Sequence, residues 1–257
     1  MNEIWIGTNW KMTKTIEESL FYTKNLIQVS KQLSPYIKLF IIPSFTALAA
    51  VKKITGASNI YLGAQNMHWE EKGPYTGEIS PIMLNEIGIN IVELGHSERR
   101  EYFNENNQSI NKKAISALKY NMKPLICIGE SLVEKNNHIS QEVLAMQLKT
   151  SLKDLTEKQI KNVMIAYEPV WAIGEKGLPA TADYIENIHN FLRKVLYDKF
   201  GKDSLNVPLL YGGSVNRNNF EKYLKIKNVD GLFIGRSAWD IDNYKKLLFS
   251  LNSHFKN

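Results

Sequence analysis

The chain has 257 residues, 44% of them hydrophobic and 23% charged, and a net charge of +6. That length suits one large α/β domain or two small ones, and no apolar run approaches the roughly 18 residues of a membrane span. The N-terminus MNEIWIGTNWKM lacks a basic stretch followed by an apolar one, so no signal peptide is expected, and a single cysteine, Cys127, leaves no internal disulfide and fits a reducing cytoplasm.

Short apolar runs, many rich in β-branched residues, recur along the chain: IWIGT (4–8), KLFIIP (38–43), NIYLGAQ (59–65), INIVELG (89–95), KPLICIG (123–129), VMIAYE (163–168), VPLLYGG (207–213) and DGLFIG (230–235). Each is nearly continuous rather than alternating, as strands buried on both faces of a parallel sheet must be. Helical patterns lie between them. In 182–197, Ile185, Ile188, Leu192 and Val195 share one stripe, and SPIMLNEIG offers Ser80 as a cap, Pro81 in the first turn and Gly88 as the stop. Eight strand–helix units in about 250 residues predict a single (β/α)8 barrel over residues 1–257, with eight parallel strands alternating with helices. An open doubly wound sheet is the alternative. Its glycine-rich turn after the first strand is not what GTNWKM spells.

In such a barrel the chemistry sits at the C-terminal strand ends. Reading past each run gives Asn9 and Lys11 after the first, His96, Ser97 and Glu98 after the fourth, and Glu168 after the sixth. Gly212, Gly213 and Ser214 follow the seventh, and Gly235 and Arg236 the eighth. Singly, each is more often a surface lysine, a structural histidine, a rim acid or a tight turn. Together they place an amine, an imidazole, a carboxylate and two glycine-containing loops at one end of one barrel. Those types suit proton transfer next to a carbonyl: a carboxylate takes the proton, and a cation and neutral donors hold the enediolate oxygen. Free backbone N–H groups in glycine turns bind a phosphate dianion. The five histidines show no metal-ligand spacing, so no metal is expected. The positive charge is spread over helix faces, without a basic stripe interleaved with aromatics, so no nucleic acid is expected either.

The motifs NWKM (9–12), ELGHSERR (93–100), AYEPVWAIG (166–174) and YGGSV (211–215) closely resemble triosephosphate isomerases, in order and over essentially the whole chain. The stretch 63–78, GAQNMHWEEKGPYTGE, resembles that family's long third loop. The resemblance implies a TIM barrel and a cofactor-free, metal-free aldose–ketose isomerase of a small phosphorylated sugar. It implies Glu168 as base, a neutral His96 as electrophile, Lys11 and Asn9 on the reacting oxygen, and Glu98 as the acid near Lys11. Phosphate binding is implied around Ile173, Gly174, Gly213, Ser214 and Gly235, with Arg236 beside them. Pro169, Val170 and Trp171 read as a stiff hinge, and Ala172 to Gly177 as the tip of a lid that excludes water. The third loop, carrying Tyr75 and Thr76, implies a homodimer in which it reaches the partner's site, and its Met67, His68, Trp69 and Tyr75 are too much apolar surface for a solvated tip.

Three places, all expected to flank the substrate, depart from the family pattern: Thr8 where glycine is usual, a lid tip about one residue longer, and Arg236 where a bare backbone usually meets phosphate. The departures resemble a branch that isomerises a four-carbon phosphate such as L-erythrulose 1-phosphate. Intact catalytic positions place the triose phosphates of glycolysis and gluconeogenesis first, the four-carbon substrate second and a non-catalytic phosphosugar-binding barrel last.

Overall fold

The fold is seen in a computed structural model that describes residues 3–174 and 177–253. All eight apolar runs form strands: β1 Ile4–Asn9, β2 Ile37–Ile42, β3 Tyr61–Ala64, β4 Ile91–Leu94, β5 Lys123–Ile128, β6 Met164–Tyr167, β7 Leu209–Tyr211 and β8 Gly231–Phe233. Each pairs in parallel with its chain neighbours. The sheet closes where β8 meets β1 through Trp5↔Gly231 and Gly7↔Phe233. Closure excludes the open sheet.

The continuous apolar runs have a direct cause. One strand face points into the barrel, where Trp5, Phe40, Ile42, Ile91, Leu125, Met164, Leu210 and Phe233 pack together. The other face meets the surrounding helices through residues such as Ile6, Ile41, Leu62, Val92, Ile126 and Ile165. Both faces are dry, so neither alternates with polar residues. The helix Ala182–Phe200 is capped by Thr181, whose side chain accepts from the Tyr184 amide, and it buries Ile185, Ile188, Leu192 and Val195. Each such side chain contributes roughly 1.5–3 kcal/mol by leaving water. The helix Pro81–Ile87 starts under the Ser80 hydroxyl and stops at a left-handed Gly88, φ 80°.

Two expectations change here. Thr8 does not flank the substrate. Its neighbours Gly7 and Asn9 face the barrel interior, so strand alternation turns Thr8 outward, where it is fully buried and its hydroxyl finds no partner among the described residues. The third loop is also less exposed than its aromatic content suggests. Met67 and His68 are buried, and His68 stacks between Trp69 and Tyr75, with ring centroids 4.2 and 4.1 Å away. Glu70 and the tip, residues 72–78, are exposed.

Candidate active site

β1 ends at Asn9, and two residues later Lys11 adopts a left-handed backbone, φ 50°, uncommon for a residue with a side chain. Its backbone N–H donates to Asn9 Oδ1 at 2.6 Å, and its carbonyl accepts from Gln65 Nε2 at 2.8 Å. The strained turn aims the ammonium across the barrel mouth to Glu98 Oε1, 2.6 Å away. The backbone carbonyl of Asn9 accepts from Trp239 Nε1 at 2.9 Å.

After β4, His96 caps the short helix Ser97–Tyr102, and its Nδ1 accepts from the Glu98 amide at 3.2 Å. A nitrogen that accepts carries no proton, so the neutral ring keeps its proton on Nε2, which faces the cavity. Burial, then the Lys11 charge, pulls the His96 pKa down to about 4, so the ring is uncharged at neutral pH. Glu168 follows β6 directly. Its Oε2 stands 3.7 Å from His96 Nε2 and makes no hydrogen bond among the described residues. Burial pushes its pKa up to about 8, against the lowering pull of Lys11. A basic, unsolvated carboxylate results. Its seat depends on Gly212, where a Cβ would come within 2.8 Å of Glu168 Cγ and Oε1.

A small cavity of about 50 Å³ holds Asn9, Lys11, His96, Glu168, Gly212 and Phe233, with Ile173, Gly213 and Gly235 at its edge. It opens into one of about 350 Å³ lined by Gly174, Ser214, Gly235, Arg236, Ser237 and Trp239. The first carries the acid–base groups and the second the glycine turns, as an anionic substrate with one reacting end requires. Arg236 opens a single 3-10 turn, Arg236–Ala238, at the rim. A larger cleft, about 560 Å³, lies near the opposite ends of β2 and β3, but no carboxylate, imidazole or thiol lines it.

The segment behind Glu168 has the expected stiff start. Pro169 leads into the 3-10 turn Val170–Ala172, and the Trp171 indole donates to Glu130 Oε1 at 2.8 Å. Gly174 is left-handed, φ 83°, and the Gly177 amide turns back to the Gly174 carbonyl at 3.4 Å. Glu175 and Lys176, the rest of the expected lid tip, lie outside the described residues. Tyr75 and Thr76 sit in the exposed tip of the third loop, away from these cavities.

Comparison with known proteins identifies the family. The family model for triosephosphate isomerase matches residues 4–251. The chain belongs to the triosephosphate isomerase family. It is an isomerase built on that family's barrel. Curated relatives named L-erythrulose-1-phosphate isomerase are 46% identical over 246 residues in Rhizobium etli, covering 95% of this chain and 91% of that one, and 44% identical over 249 residues in Brucella abortus, covering 96% of each. Among solved structures, a triosephosphate isomerase from Bartonella henselae superposes with TM-score 0.86 at 33% identity, covering 96% of this chain and 99% of that one.

Several residues of this family member's site escaped the sequence reading. Glu130 anchors the lid hinge through Trp171 and also accepts from Tyr167 and Tyr184, at 3.1 and 2.8 Å. Buried Glu105 accepts the Gly95 amide at 2.9 Å and pairs with Lys113, fixing the turn that presents His96. Glu93 and Cys127 lie below the cavity floor. An acid inside the apolar run INIVELG was the available signal for Glu93; nothing in the sequence marked Glu130 or Glu105.

Proposed function

We propose that the protein isomerises a small ketose phosphate by proton transfer through an enediolate, and that a four-carbon substrate of the L-erythrulose 1-phosphate type takes precedence over the triose phosphates. The chemical half rests on one observation: buried Glu168 presents Oε2, without a hydrogen bond among the described residues, to a neutral His96 Nε2–H with the Lys11 ammonium beside them. Glu168 takes the proton from the carbon next to the carbonyl. His96 Nε2–H, Asn9 and Lys11 hold the oxygen that becomes negative. The glycine turns at Gly174, Ser214 and Gly235 receive the phosphate.

The choice of substrate rests on the relatives at 44–46% identity that carry the four-carbon name, against a 33% identical neighbour that carries the three-carbon one. It reverses the order given by the intact catalytic positions, because triose and tetrulose share one proton-transfer chemistry and those positions cannot separate them. In a 2-keto 1-phosphate of four carbons, the adjacent carbon bearing a hydroxyl is C3. Proton transfer through the enediolate therefore carries the carbonyl from C2 to C3. The extra hydroxymethyl group hangs from the reacting carbon, remote from the phosphate. Arg236, at the glycine-turn end, accordingly serves both substrates alike. The working unit in this reading is a cytoplasmic homodimer joined through the third loop.

The test is kcat/KM for L-erythrulose 1-phosphate, glyceraldehyde 3-phosphate and dihydroxyacetone phosphate, on wild type and Arg236→Gly. Wild type should prefer the tetrulose, and Arg236→Gly should lose about tenfold on all three, roughly 1.4 kcal/mol of binding. A wild type efficient only on trioses would restore the glycolytic reading. An Arg236→Gly defect confined to one substrate would sink the assignment of Arg236 to the phosphate end.

A further inference from the structure

A carboxyl group is buried in the barrel interior directly under the site. Glu93, on β4, has no solvent exposure. Its Oε2 accepts from Asn9 Nδ2 at 2.6 Å, and its Oε1 lies 3.7 Å from Cys127 Sγ on β5. The orientation of the Asn9 amide is fixed by its other bond. The Lys11 backbone N–H can only donate, so the Asn9 atom facing it is the carbonyl oxygen, and the NH2 group faces Glu93. One hydrogen of that NH2 is held by Glu93, and the second is left for the cavity that Asn9 lines. The same Oδ1 contact supports the left-handed turn that aims Lys11. Two groups on the reacting oxygen therefore depend on one amide, and that amide depends on Glu93.

We propose that Glu93 is a positioning residue for the isomerisation, holding the Asn9 amide, and through it the Lys11 turn, under the reacting oxygen. This deepens the isomerase reading and rests on it.

The surroundings determine the form in which Glu93 works. Asn9 faces it from β1, the Cys127 thiol from β5 and the Glu168 carboxylate from behind β6. Among the described residues Lys11 is the one cation acting on it, and Ile42, Ile91 and Phe233 belong to the interior cluster around it. Burial pushes the Glu93 carboxyl well above the ordinary carboxylate range, and the Glu168 charge adds to this. Two carboxyls in one dry space do not both ionise readily, and the thiol of Cys127 neighbours both. Glu168 must be ionised to take a proton, so Glu93 is the partner that stays neutral. Its proton belongs on Oε1, because Oε2 receives the Asn9 hydrogen, and the Cys127 thiol donates to the remaining lone pair of Oε1. A neutral floor leaves the enediolate charge unopposed from below.

The test uses Glu93→Gln, which keeps a neutral acceptor for Asn9, and Glu93→Leu, which removes it at similar volume. Both are assayed for kcat and KM from pH 5.5 to 10, and wild type and Glu93→Gln are labelled with carbon-13 at glutamate side-chain carboxyls for NMR titration. Leu should lower kcat at least about tenfold with little change in KM, since a misaligned amide fails mainly in the transition state. Gln should recover most of that loss and lack the high-pH decline that ionisation of Glu93 imposes on wild type. The carboxyl resonance missing from Glu93→Gln should keep the shift of a protonated acid through pH 7. A Gln variant no better than Leu, or a Leu variant within about threefold of wild type, overturns the positioning role. A Glu93 resonance that titrates near the ordinary value of about 4.3 overturns the neutral floor. If Leu fails to fold, the Gln profile and the NMR titration decide alone. A wild type inactive on every sugar phosphate refutes the isomerase reading, and the NMR titration still judges Glu93.

Discussion

Glu168→Gln tests the site from two directions at once. The substitution preserves shape and removes basicity, so kcat should fall by about 10² to 10⁴, the usual worth of a positioned general base. The same change should stabilise the fold, and by an amount that depends on pH. In the folded protein Glu168 holds its proton up to about pH 8, whereas the unfolded chain releases it near 4.5. The folded state therefore binds the extra proton between those values, and wild-type stability falls as pH rises through that window. Below pH 4.5 the carboxyl is neutral in both states and resembles the amide, so the two proteins should match. Above pH 8 the full penalty of a buried carboxylate is present in wild type and absent from the variant. At about 1.4 kcal/mol per pH unit the gap has a ceiling of roughly 5 kcal/mol, and relaxation around the charge should leave about 2–4. The assay is urea unfolding of both proteins at fixed protein concentration, from pH 4.5 to 8.5. A stability difference that stays flat across that range would refute the account of a desolvated base, and a Gln variant with wild-type turnover would remove Glu168 from the chemistry.

Lys11→Met keeps the aliphatic stem and removes the ammonium 2.6 Å from Glu98, so kcat/KM should collapse; a value within about threefold of wild type, some 0.65 kcal/mol of barrier, would make the lysine a surface residue. Gly212→Ala puts a methyl 2.8 Å from Glu168 Cγ and Oε1, so the base must shift, and kcat should drop about 10²-fold with the protein still folded; unchanged kinetics would show that the seat is not tight. Shortening the exposed tip 72–78 of the third loop should give monomers with little activity by sedimentation velocity, and a wild type that is itself monomeric at micromolar concentration would refute the dimer.

The order of elements was legible in the sequence, and so was the set of polar residues that the strand ends bring together. Eight continuous apolar runs require strands dry on both faces, and a barrel wrapped in helices provides that for all eight. Asn9, Lys11, His96 and Glu168 could be read as neighbours because strand ends of one parallel barrel converge, whatever their separation along the chain. What the sequence could not supply was which face of a doubly buried strand looks inward. That choice turns Thr8 away from the substrate and brings Glu93 under it, bonded to a residue 84 positions earlier. Nor could it supply the opposite shifts that make His96 neutral and Glu168 basic, because desolvation is the sum of what several strands and loops place around each group. The aromatic third loop illustrates the same limit. Its composition suggested exposed apolar surface, yet Met67 joins the core and His68 stacks between Trp69 and Tyr75 of its own loop. Composition states how much apolar area a segment carries, and only tertiary contact determines whether that area meets its own core or another chain.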